Sequence, residues 1–114
     1  MGYIRFNVEG SGSIEAQQHI IDTNSYFTIR RGPGSQAAIA IDFVTGIIDT
    51  DTATSPEGEV TVIRLAGTGF TDETIERFNN ATVTAQGDFA SSVKDVSVAS
   101  GEVFSSLKYI LVAN

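Results

Sequence analysis

Apolar and polar residues alternate from the first residues of the chain. Ile4, Phe6 and Val8 fall on one side and Tyr3, Arg5, Asn7 and Glu9 on the other. That period of two is the mark of a half-buried strand. Gly10-Ser11-Gly12 supplies a turn, since glycine tolerates positive φ. Ser13–Ile21 reads as a second strand with Ile14, Ala16 and Ile20 facing inward and His19 on the polar face beside Glu15 and Gln17. Ala16-Gln17-Gln18-His19 has fair helix propensity. The strong turn Asp22-Thr23-Asn24-Ser25, followed by the β-prone Tyr26-Phe27-Thr28-Ile29, favours the strand.

Gly32-Pro33-Gly34-Ser35 is a loop. Ile39, Ile41 and Phe43 then line one face of a strand whose other face carries Ala38, Ala40 and Asp42. Thr45-Gly46 interrupts this run and Ile47-Ile48 ends it. The polar stretch Asp49–Gly58 reads as an exposed loop. Glu59–Ala66 returns to strand. Val60 and Val62 share one face, and Ile63 and Leu65 the other. This pattern predicts either a bulge or a strand covered on both sides.

A helix is expected after Gly67-Thr68-Gly69. Thr71 is the cap, Asp72 and Glu73 suit the positive end of the helix dipole, and Phe70 and Ile75 flank the cap as a staple. Ile75, Phe78, Thr82 and Ala85 recur at helical spacing, and Gly87 ends the run. Val93–Ala99 reads as a short strand with Val96 and Val98 inward. Ser100-Gly101-Glu102 turns, and Val103–Ala113 is the closing strand. There Leu107, Tyr109 and Leu111 alternate with Lys108, Ile110 and Val112, so both faces are apolar apart from one lysine. A half-solvated strand is polar at every second position. This one is therefore expected to be central or covered by another subunit. Leu107, Tyr109, Ile110, Leu111 and Val112 are the candidate interface, with Ile110 and Val112 the pair expected between subunits.

Composition narrows the reading. The chain has 114 residues, 41% of them hydrophobic and 18% charged, which suits one globular domain over residues 1–114. There is no Cys and one His, so thiol chemistry, disulfides and the usual zinc sites are excluded. His19 has no Ser in a nucleophile-elbow pattern to serve. Gly67-Thr68-Gly69 imitates a dinucleotide-binding turn, but the third glycine is replaced by Asp72, and Asp72 and Glu73 place negative charge where a pyrophosphate would sit. Asp49-Thr50-Asp51 opens like a calcium loop, but Ala53, Thr54 and Val60 stand where ligands and the glycine belong. Only a weak cation site of Asp49, Asp51 and Glu57 is left open. Asn80-Ala81-Thr82 is a glycosylation sequon, but the opening residues lack the charged and apolar runs of a secretory signal. No apolar run approaches the length of a membrane-spanning helix. The expected location is the cytoplasm of the producing cell, or a virion. No catalytic residue, cofactor site or metal site is assigned, and an enzyme is not expected.

The opening strand YIRFNV (residues 3–8), the threonine-rich middle, the late helix and the pair VKDVSV and GEVFSSLKYI (93–98 and 101–110) together resemble the small proteins encoded by tailed phages of marine bacteria, cyanobacterial phages above all. The resemblance covers most of the chain as pattern. It implies a virion or accessory phage protein and brings no catalytic residues with it. By shape the chain also looks like an Sm-like or SH3-like small barrel. Such barrels have fewer strands, and the Sm-like type opens on its helix.

The expected fold is α+β and mainly antiparallel, with six or seven strands and one late helix; a small Sm-like or SH3-like barrel is the alternative. The expected function is a non-catalytic structural or assembly protein that forms a homo-oligomer. A ligand- or RNA-binding module is the alternative. Arg30 and Arg31 are the candidate basic contact, and the only adjacent pair of cations. Fourteen acidic against seven basic residues give a net charge of −7, which repels a phosphate backbone at range. No binding of a labelled oligonucleotide, RNA or duplex DNA, is therefore expected at physiological salt. A submicromolar, salt-sensitive complex would reverse that expectation and favour the RNA-binding alternative.

Overall fold

The computed structural model describes residues 2–10, 12–13, 15–48, 59–87 and 92–113. The strands are β1 (Gly2–Val8), β2 (Gln17–Asp22), β3 (Thr28–Arg31), β4 (Ala40–Ile48), β5 (Glu59–Thr68), β6 (Ser92–Asp95) and β7 (Val103–Ala113), and the helix is α1 (Asp72–Gly87). They form a three-stranded sheet in the order β2-β1-β6 and a four-stranded antiparallel sheet in the order β3-β4-β5-β7. Among the described residues only β1 and β6 pair in parallel. The architecture is the expected mainly antiparallel α+β domain. The two sheets do not close into a barrel. They join where β1 runs out toward β7: the Glu9 and Gly10 N–H groups donate to the carbonyls of Phe104 and Ser105, each at 2.8 Å.

β1 buries Ile4, Phe6 and Val8 as its alternation requires. Pairing with β1 then corrects the reading of β2. Ile4 lies opposite Ile21 and Phe6 opposite His19, so the inward residues of β2 are the odd-numbered ones. Ile21 is buried and Ile20 is 54% exposed, the reverse of the expectation. β2 also starts later than expected, at Gln17, and Ile14 lies outside the described residues. A one-residue slip moves every side chain of a strand to its other face. Nothing local in this polar segment decides between the two phases.

Elsewhere the main differences lie at element ends. Tyr26 is buried but precedes β3, and its hydroxyl lies 2.6 Å from the Thr82 Oγ1 of the helix. Ile39 is exposed in the turn before β4. Thr45-Gly46 is a bulge that the strand passes through, with the register shifting between Val44 and Gly46. The loop expected at Asp49–Gly58 lies outside the described residues. The β5–β7 register is unbroken from Glu59 to Ala66, and against β4 the extra residue lies in β4 rather than β5, so the two apolar faces of β5 mean a strand covered on both sides. Ile63 and Leu65 enter the main core, while Val60 and Val62 form a second cluster with Val44. β6 ends at Asp95, before its expected end. Val96 still donates to the Arg5 carbonyl and is buried, but Val98 is exposed. The chain leaves the sheet there because the Ala99–Glu102 turn begins, closed by the Glu102 N–H on the Ala99 carbonyl.

The helix starts after Thr71, as expected. Its buried side chains are Thr74, Phe78 and Ala85, and Ile75 is only partly covered. Phe78 is the wedge between the sheets. Its ring stands edge-on to Phe6 of β1 (5.4 Å, 89°) and to Phe43 of β4 (5.3 Å, 87°), and lies 5.7 Å from Phe104 of β7. Gly67 and Gly69 serve packing. A Cβ on Gly67 would overlap the Val103 carbonyl, and one on Gly69 the Gly101 carbonyl, with Gly69 also at φ +76°. The glycines that mimic a phosphate-binding turn let β5 and the start of β7 touch. Emptying the wedge tests its weight. Phe78→Ala is expected to lower stability in urea melts by about 3–5 kcal/mol. Val83→Ala, on the exposed side of the same helix, should stay within about 0.5 kcal/mol.

Candidate functional site

Strand length creates the site. β7 has 11 residues and β5 has 10, against 7 in β1 and 6 in β2. At about 3.3 Å per residue β7 runs some 36 Å and β1 about 23 Å. The four-stranded sheet therefore overhangs the layer that covers it. Leu107 still packs on the main core. Two residues further on, Tyr109 is 79% exposed and Leu111 51% exposed on the same face. With Ser25, Thr45, Thr61 and Ile63 they line a shallow trough of about 620 Å³. The Thr45 and Thr61 hydroxyls are tied to each other at 2.8 Å, so the floor is apolar in effect.

Ile110 and Val112 sit on the opposite face, paired with Val62 and Val60. They pack against the cluster of Val44, Val60 and Val62 within the chain. This is the pair expected between subunits. The chain itself half-covers Ile110 and Val112, and the open side chains are those of Tyr109 and Leu111. β7 ends its sheet. Among the described residues, its edge from Leu107 onward has no paired strand on the side away from β5. Sequence reasoning found the strand but missed the trough floor, Thr45, Thr61 and Ile63. Those residues meet only through the β4–β5–β7 register.

Several charged residues hold the fold together. The register sets Arg30, Asp42, Arg64 and Lys108 in one row across the four-stranded sheet. Asp42 is fully buried and takes two hydrogen bonds from Arg64, at 2.7 and 2.8 Å. Such a pair adds little net stability but costs several kcal/mol to break on one side. Its signal was in the sequence, since the two charges interrupt apolar runs at nearly equal distances from the 49–58 loop. Arg31 turns to the other face. It donates to the carbonyls of Ala37 and Phe70 and pairs with Asp72 at 3.0 Å. Arg30 and Arg31 thus do not form one basic patch.

Glu102 is the other buried carboxylate among the described residues. It accepts hydrogen bonds from the Thr74 hydroxyl, the Arg77 guanidinium and the Ala99 N–H, which clamps the β6–β7 turn to the helix. Burial alone would push its carboxyl up. The hydrogen bonds outweigh burial and hold it below its ordinary value of 4.5. A carboxylate so saturated makes a poor general base. His19 lies 6.1 Å from the Phe6 ring, and desolvation lowers its pKa below 6.5. It faces inward, where the sequence reading had placed it outward. Among the described residues no three His, Cys, Asp or Glu side chains cluster to hold a metal ion, and no helix is long and apolar enough to cross a membrane. Asp49, Asp51 and Glu57 lie outside the described residues.

Because Glu102 has a depressed folded-state pKa, its contribution is complete above its unfolded value near 4.5 and is lost as pH falls through the folded one. Melting curves from pH 7 to pH 3 should show that loss. Glu102→Gln should be less stable at pH 7 and show a shallower fall below pH 4.5. A parallel fall in both proteins would mean that the clamp does not titrate. Comparison with known proteins finds no matching family model, no matching curated protein and no matching solved structure.

Proposed function

We propose that this chain is a non-catalytic structural or assembly subunit that associates with copies of itself along the open part of β7. One observation carries the reading. Among the described residues Leu107–Val112 lies at an unpaired sheet edge; it is apolar on both faces and contains a single charge and neither Pro nor Gly. Soluble proteins blunt such edges with charges, prolines or bulges, or cover them. This edge has only Lys108. An exposed six-residue run of this kind invites uncontrolled pairing unless a designated partner occupies it.

The rest of the molecule supports a building block. The buried carboxylates Asp42 and Glu102 are each neutralised by an arginine, and the trough beside β7 is apolar and shallow. A phage-encoded origin follows from the resemblance of the sequence. The working location is then the producing cell's cytoplasm, or the virion. Copies carrying −7 each repel one another, so association should tighten as salt screens that charge.

Light scattering over a concentration series tests the reading. The wild type should gain mass with concentration. Tyr109→Lys with Leu111→Lys, both at exposed positions, should lower the mass while circular dichroism keeps its β signal. A wild type that stays monomeric at the highest concentration refutes the proposal.

A further inference from the structure

Resting on that self-association, we infer that the occupant of the edge is a second copy of this chain, its β7 lying antiparallel along this β7 with Ile110 on the two-fold axis. The first argument is self-complementarity. Among the described residues β2, β3, β6 and β7 end the two sheets. Only β7 carries two or more large apolar side chains on each face: Tyr109 and Leu111 on one, Ile110 and Val112 on the other. A partner strand must continue both rows to leave neither apolar patch in water. The edge in this molecule that does so is β7 itself.

Symmetry supplies the second argument. A two-fold axis perpendicular to the sheet makes the strands antiparallel and keeps each face with its like face. The trough then runs on into the trough of the second copy. On the other face Ile110 meets its own copy and extends the Val44, Val60 and Val62 cluster across the axis. The result is one continuous sheet of eight strands, four from each copy.

Register is the third. The open edge runs from Leu107 to Ala113, and its midpoint is Ile110. Pairing centred there uses every residue of the edge. It sets Tyr109 against Leu111 of the second copy and Lys108 against Val112. A centre at Lys108 would oppose two like charges, which is destabilising. A centre at Tyr109 would leave the last residues of the strand unpaired.

The chain contains no Cys, so introduced thiols report the register directly under mild oxidation. Residues directly opposite lie about 4.5–5.5 Å apart at Cα, within disulfide range. Ile110→Cys alone should form a covalent dimer. Tyr109→Cys alone and Leu111→Cys alone should form little, because each lies roughly 8 Å from its own copy, two residues along and one strand across. Mixing those two variants should raise the covalent dimer several-fold over either alone. The mixture also guards against misfolding of Ile110→Cys, since both of its positions are exposed. If light scattering shows a dimer but neither Ile110→Cys nor the mixture cross-links, this register is wrong while self-association stands. A monomer at all concentrations overturns both.

Discussion

Phe78 reaches from the helix to both sheets, and the architecture depends on that insertion. Its ring touches Phe6 in the three-stranded sheet and Phe43 and Phe104 in the four-stranded one, with two of the contacts edge-to-face. Edge-to-face pairs gain beyond the area they bury. Phe6 also meets Phe43 and Phe104 directly, so the four rings together set the separation of the two sheets. The helix supplies a single large ring at the centre. Its remaining buried positions, Thr74 and Ala85, are small, which lets the backbone sit close to β1 and the final turn.

A wedge of that size covers only part of a long sheet. The three-stranded sheet and the helix shield β4, β5 and β7 around Phe43, Leu65 and Phe104, all fully buried. Past that point the longer strands continue without a second layer. The chain half-solves the problem on one face, where Val44, Val60 and Val62 gather with Ile110 and Val112. On the other face Tyr109 and Leu111 stay open. The mismatch in strand length thus produces the one apolar surface on which the functional proposal rests.

Charge follows the same economy of structure. Asp42 and Glu102 are buried, and each is held by a guanidinium. Asp42–Arg64 ties β4 to β5, and Glu102–Arg77 ties the last turn to the helix. Arg31 braces the loop before β4 against the start of the helix. These arginines are spent on fixing elements to one another, so the acidic chain is left without a concentrated basic surface on the strands they occupy.

Much of this was legible in the residues. Alternation placed β1 and its three inward side chains. The Thr71 cap and the spacing of Phe78 and Ala85 placed the helix. The double apolar pattern of β5 left two readings, a bulge or a strand covered on both sides, and that of β7 marked it as central or covered by another subunit. These signals are local, because they come from the backbone's own periods of two and 3.6. Other features lay beyond local reach. The phase of β2 was settled by pairing with β1, which turned His19 and Ile21 inward and Ile20 out. The joining of Arg64 to Asp42, and of Glu102 to Arg77 and Thr74, needed contacts between distant segments. Both faces of β7 read as apolar in the sequence. Which of them stays open was decided by how far the covering layer extends, a relation between the lengths of separate strands that no single segment encodes.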